Sequence, residues 1–122
     1  MRVYLAAPFG LAEEAKQKAA ELKAKNYQIT HEWWLDPPLP GNGRDPVTAD
    51  ECRLRAENDL IGIMRCEAFV VLEGVSSTGG KFFETGFARA GGKRVVLIGA
   101  VENVFGHDFE RYDTWEQFME AI

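Results

Sequence analysis

Three short apolar runs, separated by segments of helical period, set the narrowest limit on how this sequence can fold. Arg2–Ala7 (RVYLAA), Glu67–Glu73 (EAFVVLE) and Lys93–Ile98 (KRVVLI) each suit a strand buried in a sheet. The first is closed by Pro8 and Gly10. Leu11–Lys25 then carries Leu11, Ala15, Ala19 and Leu22 on one helical face, with Glu14/Lys18 and Glu21/Lys25 paired across one turn of the other. Tyr27–His31 alternates and is rich in β-formers, which predicts a second strand. A helix capped by Thr48 or Asp50, with Glu51 in its first turn, runs to about Arg65. Another spans Lys81–Gly91 and is ended by Gly91-Gly92. A short fifth strand is expected near Phe109–Tyr112, then a helix over Thr114–Ile122 with Trp115, Phe118, Met119 and Ile122 at helical spacing.

That alternation predicts a doubly wound α/β fold, a mostly parallel five-stranded sheet with helices on both faces, as in flavodoxin- or Rossmann-like three-layer sandwiches. No repeat or linker interrupts it, so residues 1–122 are expected to form one domain. Residues 32–48 differ in character, since four prolines and two glycines exclude regular structure. A loop of that length in a small domain is a functional candidate. Ligands of such folds sit beyond the carboxyl ends of strands. Ala7–Gly10 and Gly74–Gly80 are therefore the segments to search.

The net charge of −5 and the absence of a basic run argue against nucleic-acid polymers as ligands. They leave a single nucleotide open, because one helix N-terminus can hold its phosphate. Cys52 and Cys66 stand fourteen residues apart on one expected helix, beyond disulfide reach, and read as buried small hydrophobes. With two histidines, no recognisable metal-ligand spacing arises, and neither metal nor cofactor is implied. The N-terminus lacks a signal pattern, and Met1–Ala7 is too short to span a membrane, so a reduced cytoplasmic setting is the expectation.

Five features carry chemistry. Ser76-Ser77-Thr78-Gly79-Gly80 runs into the helix at Lys81, offering hydroxyls and free N–H groups, although a plain capped turn explains it equally. Glu84 lies one turn into that helix, facing the expected crevice, with Gly86 and Ala88 leaving room beside it. A carboxylate there can stabilise or capture an oxocarbenium-like anomeric carbon; the plainer alternative is a solvated helix glutamate. Asp59 falls in line with Ala56, Ile63 and Cys66, where a carboxylate is costly unless functional or paired with Arg55, four residues back. Tyr4, mid-strand, either aims its hydroxyl at the crevice or simply packs. Trp33 and Trp34 point to opposite sides on extended backbone, so that one packs inward while Trp34 offers a stacking face for a base. His31 and His107 show no partner and read as structural.

Taken in order, these residues resemble the nucleoside 2-deoxyribosyltransferase family and the related 5'-monophosphate N-glycosidases. The likeness rests on VYLAAPF (Val3–Phe9), on ENDLIGIMRCEAFVVLEG (Glu57–Gly74) and on TGGKFFETGFARAGGKRVVL (Thr78–Leu97). Within them, Asp59-Leu60, Gly80, Glu84-Thr85-Gly86-Phe87-Ala88 and Gly92-Lys93 fall in the family's order. The resemblance implies that Glu84 is a nucleophile forming a covalent glycosyl ester, that Tyr4 orients it, and that Asp59 protonates or positions the leaving base. It further implies a substrate cradle from Ala7, Pro8 and Phe9 together with Ser77, Thr78, Gly79 and Gly80. The partner is a small nucleoside or nucleotide, and a homodimer or larger homo-oligomer is expected. Thr78 stands where the transferases place an acid and the monophosphate hydrolases a serine, which favours phosphate. Gly10 stands where those hydrolases carry an arginine, with Lys81 or Arg44 as the available substitutes. The rival expectations are a glycohydrolase acting on a dinucleotide such as NAD, and a nucleotide-binding module without turnover.

Overall fold

A computed structural model of the chain describes residues 1–36, 49–72, 80–100 and 104–122. Strands β1 (Arg2–Ala6), β2 (Gln28–Ile29), β3 (Ala68–Leu72), β4 (Arg94–Ile98) and β5 (Glu110–Tyr112) form one sheet in the order β2-β1-β3-β4-β5. Every pairing is parallel, where the sequence had indicated only a mostly parallel sheet. The three apolar runs are the inner strands: β3 is buried throughout, and β1 and β4 are buried beyond their first residue. Being covered on both faces is what requires them to be apolar at every position. The edges are short and polar, with Gln28 on β2 and Glu110 and Arg111 on β5, which blunts them against further pairing.

Helices α1 (Ala12–Ala24), α2 (Ala49–Arg65), α3 (Gly80–Ala90) and α4 (Trp115–Ala121) complete the layers. Right-handed crossovers in this strand order place α1 on one face and α2 and α3 on the other. α1 buries Ala15, Ala19 and Leu22 and touches α4, where Trp115 Nε1 donates to Glu21 Oε2 at 3.1 Å and Lys25 Nζ donates to the Met119 carbonyl at 2.5 Å. Two helices end in left-handed caps that turn the chain back to the sheet. Asn26 (φ 68°) ends α1, with Tyr27 N–H reaching the Leu22 carbonyl; Gly92 (φ 74°) ends α3, with Lys93 N–H reaching that of Ala88. Thr114 caps α4 by accepting from Gln117 N–H at 3.2 Å.

Several boundaries shift. The expected Tyr27–His31 strand contracts to Gln28–Ile29, because β2 pairs only with the start of β1 before His31 turns toward α2. Asp50 lies within the first turn of α2 rather than at its cap, and Thr48 is outside the described residues. Trp33–Leu35 is a 3-10 turn, not extended backbone; residues 37–48 of the proline-rich loop are outside the described residues. Cys66 is buried and its thiol donates to the Ile63 carbonyl at 3.0 Å, whereas Cys52 is only partly buried. Among the described residues no helix is long and apolar enough to cross a membrane.

Candidate active site

From β1 the chain steps outward to β2, then crosses back to β3, so the strand order reverses between β1 and β3. A cavity of about 230 Å³ opens at that reversal, the place where open α/β sheets bind ligands. Tyr4 reaches it from β1, Asp59 from α2 and Glu84 from α3, and Ala7, Pro8 and Phe9 supply the wall that follows β1.

Tyr4 is 1 % exposed and stacks on Phe69, its register partner in β3, with ring centroids 5.6 Å apart. That packing leaves one direction for its hydroxyl, which donates to Glu84 Oε2 at 2.8 Å. Burial, reinforced by the charges of Glu84 and Asp59, holds the phenol far above its usual range, so it remains a donor at neutral pH. Burial likewise pushes the Glu84 carboxyl up from 4.5 to about 7. The Tyr4 hydrogen bond and the charge of His31 act against that shift, and the charge of Asp59 adds to it. A partly buried carboxylate with one oxygen held by a tyrosine and a value near neutrality is suited to attack or to proton transfer.

Asp59 finds its ion-pair partner in His31, with Nε2 3.2 Å from Oδ1, and not in Arg55 one turn earlier. Nε2 is buried, and its contact with Oδ1 is an ion pair when the imidazole is protonated. Asp59 raises the imidazole above its ordinary value, although burial opposes this. The apolar stripe assigned to Asp59 is also shorter than expected: Ile63 and Cys66 are buried, but Ala56 is exposed. Gly62, one turn after Asp59, closes the arrangement. A Cβ added there would lie 2.7 Å from His31 Cβ and 3.1 Å from two ring carbons of Tyr4. Only the bare backbone of α2 lets those two side chains approach.

No protein-family model matches the chain, and no curated protein matches it in sequence. Solved structures do match along almost the whole length. The 2-deoxyribosyltransferase of Bacillus psychrosaccharolyticus superposes with a TM-score of 0.71 at 20% identity, covering 98% of this chain and 90% of its own. The 2-desoxiribosyltransferase of Leishmania mexicana gives 0.62 at 17% identity, with 98% and 97% covered. The Clostridium botulinum CMP N-glycosidase BcmB gives 0.59 at 22% identity, with 99% and 97% covered. The fold is that of 2-deoxyribosyltransferases and a CMP N-glycosidase.

Of the residues singled out from sequence, Tyr4, Ala7, Pro8, Phe9, Asp59, Gly80 and Glu84 line the one cavity. Ser77, Thr78 and Gly79 lie outside the described residues, as does Arg44. Trp33, rather than Trp34, lines the cavity; its Nε1 donates to the Leu5 carbonyl at 2.8 Å, and Trp34 packs edge-on against it. Lys81 is buried in the first turn of α3 and borders the cavity, as does Arg55. His31 was not anticipated: its partner is 28 positions away, and a glycine inside a helix was the only local sign of a close approach. A larger hollow of about 500 Å³ lies between α3 and the 104–108 turn, walled by Phe82, Phe105 and Phe109. Its Arg89 and Asp108 are paired with each other at 3.1 Å, and it contains no candidate nucleophile.

The raised value of Glu84 has a cost in stability. Below about pH 4.5 the carboxyl is neutral in both folded and unfolded chains. As pH rises toward 7 the unfolded chain ionises first, and the fold bears a penalty on the order of 3 kcal/mol above that pH. Glu84→Gln should therefore match wild type in urea denaturation at pH 4 and exceed it by roughly 2–3 kcal/mol at pH 8. Equal stability of the two proteins at pH 8 would mean that Glu84 is not buried as described.

Proposed function

We infer that this protein cleaves or transfers at the N-glycosidic bond of a nucleoside, a 2'-deoxynucleoside or its 5'-monophosphate through a covalent ester on Glu84. The observation that carries this is the Tyr4–Glu84 hydrogen bond of 2.8 Å in a cavity that also holds Asp59. Support comes from the shared fold, whose matched structures include an enzyme that transfers 2-deoxyribosyl groups and one that hydrolyses CMP at its N-glycosidic bond.

Tyr4 occupies Oε2 and leaves Oε1 to attack the anomeric carbon as the bond to the base breaks. The bonding pair departs with the base, which takes a proton by way of Asp59 or solvent. Water then opens the ester to give hydrolysis, or a second base opens it to give transfer; the two displacements together retain the anomeric configuration. Subunit pairing fits the exposed large apolar side chains Leu54, Ile61 and Met64 on α2 and Phe83 on α3. Sedimentation should give a dimer or larger particle, and a monomer at micromolar concentration would remove that part.

The test is chromatographic detection of free base from a panel of nucleosides and 5'-monophosphates, with and without an acceptor base. Glu84→Ala should abolish release, at least about 10³-fold, with the fold intact; Asp59→Asn and Tyr4→Phe should lower kcat by roughly 10–100-fold. Because Glu84 must be ionised to attack, kcat/KM should fall as pH drops below about 7. Silence across the panel, or full activity in Glu84→Ala, would exclude this chemistry.

A further inference from the structure

His31 belongs to neither the nucleophile nor the cavity wall, yet the structure spends a close approach on seating it. Its imidazole stands behind Asp59, with Nε2 3.2 Å from Oδ1, and it does not line the cavity that Asp59 faces. The backbone of α2 at Gly62 receives both the Cβ of His31 and the ring of Tyr4, where a side chain would collide with each. One glycine thus seats the partner of Asp59 and the partner of Glu84 together. Asp59 and Glu84 carry like charges on one cavity, and the charge of Asp59 opposes ionisation of Glu84.

We propose that His31 is a positioning residue for the Glu84 nucleophile: as a cation locked against Gly62, it fixes the Asp59 carboxylate in the cavity wall and offsets the charge that Asp59 places on Glu84. This rests on the glycosidic chemistry above for its catalytic meaning, though not for its test. So paired, Asp59 is held at the cavity wall, where it can orient a leaving base. Among the described residues, the charged groups acting on His31 are Asp59 on α2, Asp36 after the 3-10 turn and Glu84 on α3, and the Tyr4 ring on β1 shares its approach to Gly62. Arg55 stands one turn before Asp59 on α2, and neighbouring Glu32 is paired with Lys23. The anionic groups favour the imidazolium, and burial opposes it.

The experiment is carboxyl-carbon NMR titration of Glu84 in wild type and in His31→Gln. Loss of the cation should move the Glu84 midpoint upward by roughly half a pH unit or more; an unchanged midpoint overturns the assignment. Should His31→Gln fail to fold, the imidazole titration in Asp59→Asn decides, since the His31 midpoint must fall when Asp59 is neutral and stays put if the pair is incidental. These titrations need no substrate, so absence of base release by wild type would defeat the glycosidic function without touching them. Where base is released, the acid limb of kcat/KM in His31→Gln should move upward with Glu84. A lowered plateau with the limb in place would mark His31 as merely structural.

Discussion

Withdrawing a carboxylate from water is unfavourable unless something in the fold compensates for it, and among the described residues Glu84 receives one hydrogen bond in return, from Tyr4. The remaining imbalance leaves it near neutrality, able to exist as anion or acid at physiological pH. Everything around the site serves this contact. Tyr4 can donate only because its ring is clamped between Phe69 and the bare backbone at Gly62. Glu84 can receive only because β3 delivers α3 to the same end of the sheet as β1.

Strand order supplies that coincidence. In the order β2-β1-β3-β4-β5, β1 and β3 are hydrogen-bonded neighbours although register partners such as Val3 and Ala68 are 65 positions apart. The helices leaving them depart to opposite faces, and the gap between the two departures is the cavity. Residues remote in sequence therefore meet without any long-range feature of their own: Tyr4 and Glu84 are 80 positions apart. The second pair, His31 with Asp59, arrives by the same route, since α2 crosses from β2 back to β3 and packs on β1, where it meets the residues that follow β2.

Inner strands were legible because burial on both faces demands apolar residues at every position, as in Ala68–Leu72. Helix α3 was legible through its Gly91-Gly92 ending, where Gly92 adopts φ 74°. Edge strands were less so: β2 shrinks to two residues because an edge pairs on one side only, and its β-rich neighbours Tyr27 and Thr30–His31 serve the turn and the site instead. In the site, Tyr4, Asp59 and Glu84 could be named from their places on expected elements, and the structure brings all three to one cavity. The partner of Asp59 could not. Helical spacing offered Arg55, whereas the contact with His31 depends on the crossing of α2 from β2 back to β3, which no local pattern encodes. Trp34 does not line the cavity, and the buried Trp33 does so instead, because a 3-10 turn does not alternate sides as a strand does.

The central claim is that Glu84 bonds to the sugar. It is tested most directly by incubating the protein with a 2-fluoro-substituted nucleoside or nucleotide that slows breakdown of the ester, followed by mass spectrometry of the intact chain and its peptides. A stoichiometric glycosyl adduct on the peptide carrying Glu84, absent from Glu84→Gln, is the predicted result. Base release from natural substrates with no adduct on Glu84 under these conditions would contradict it and leave the carboxylate a role as base rather than nucleophile.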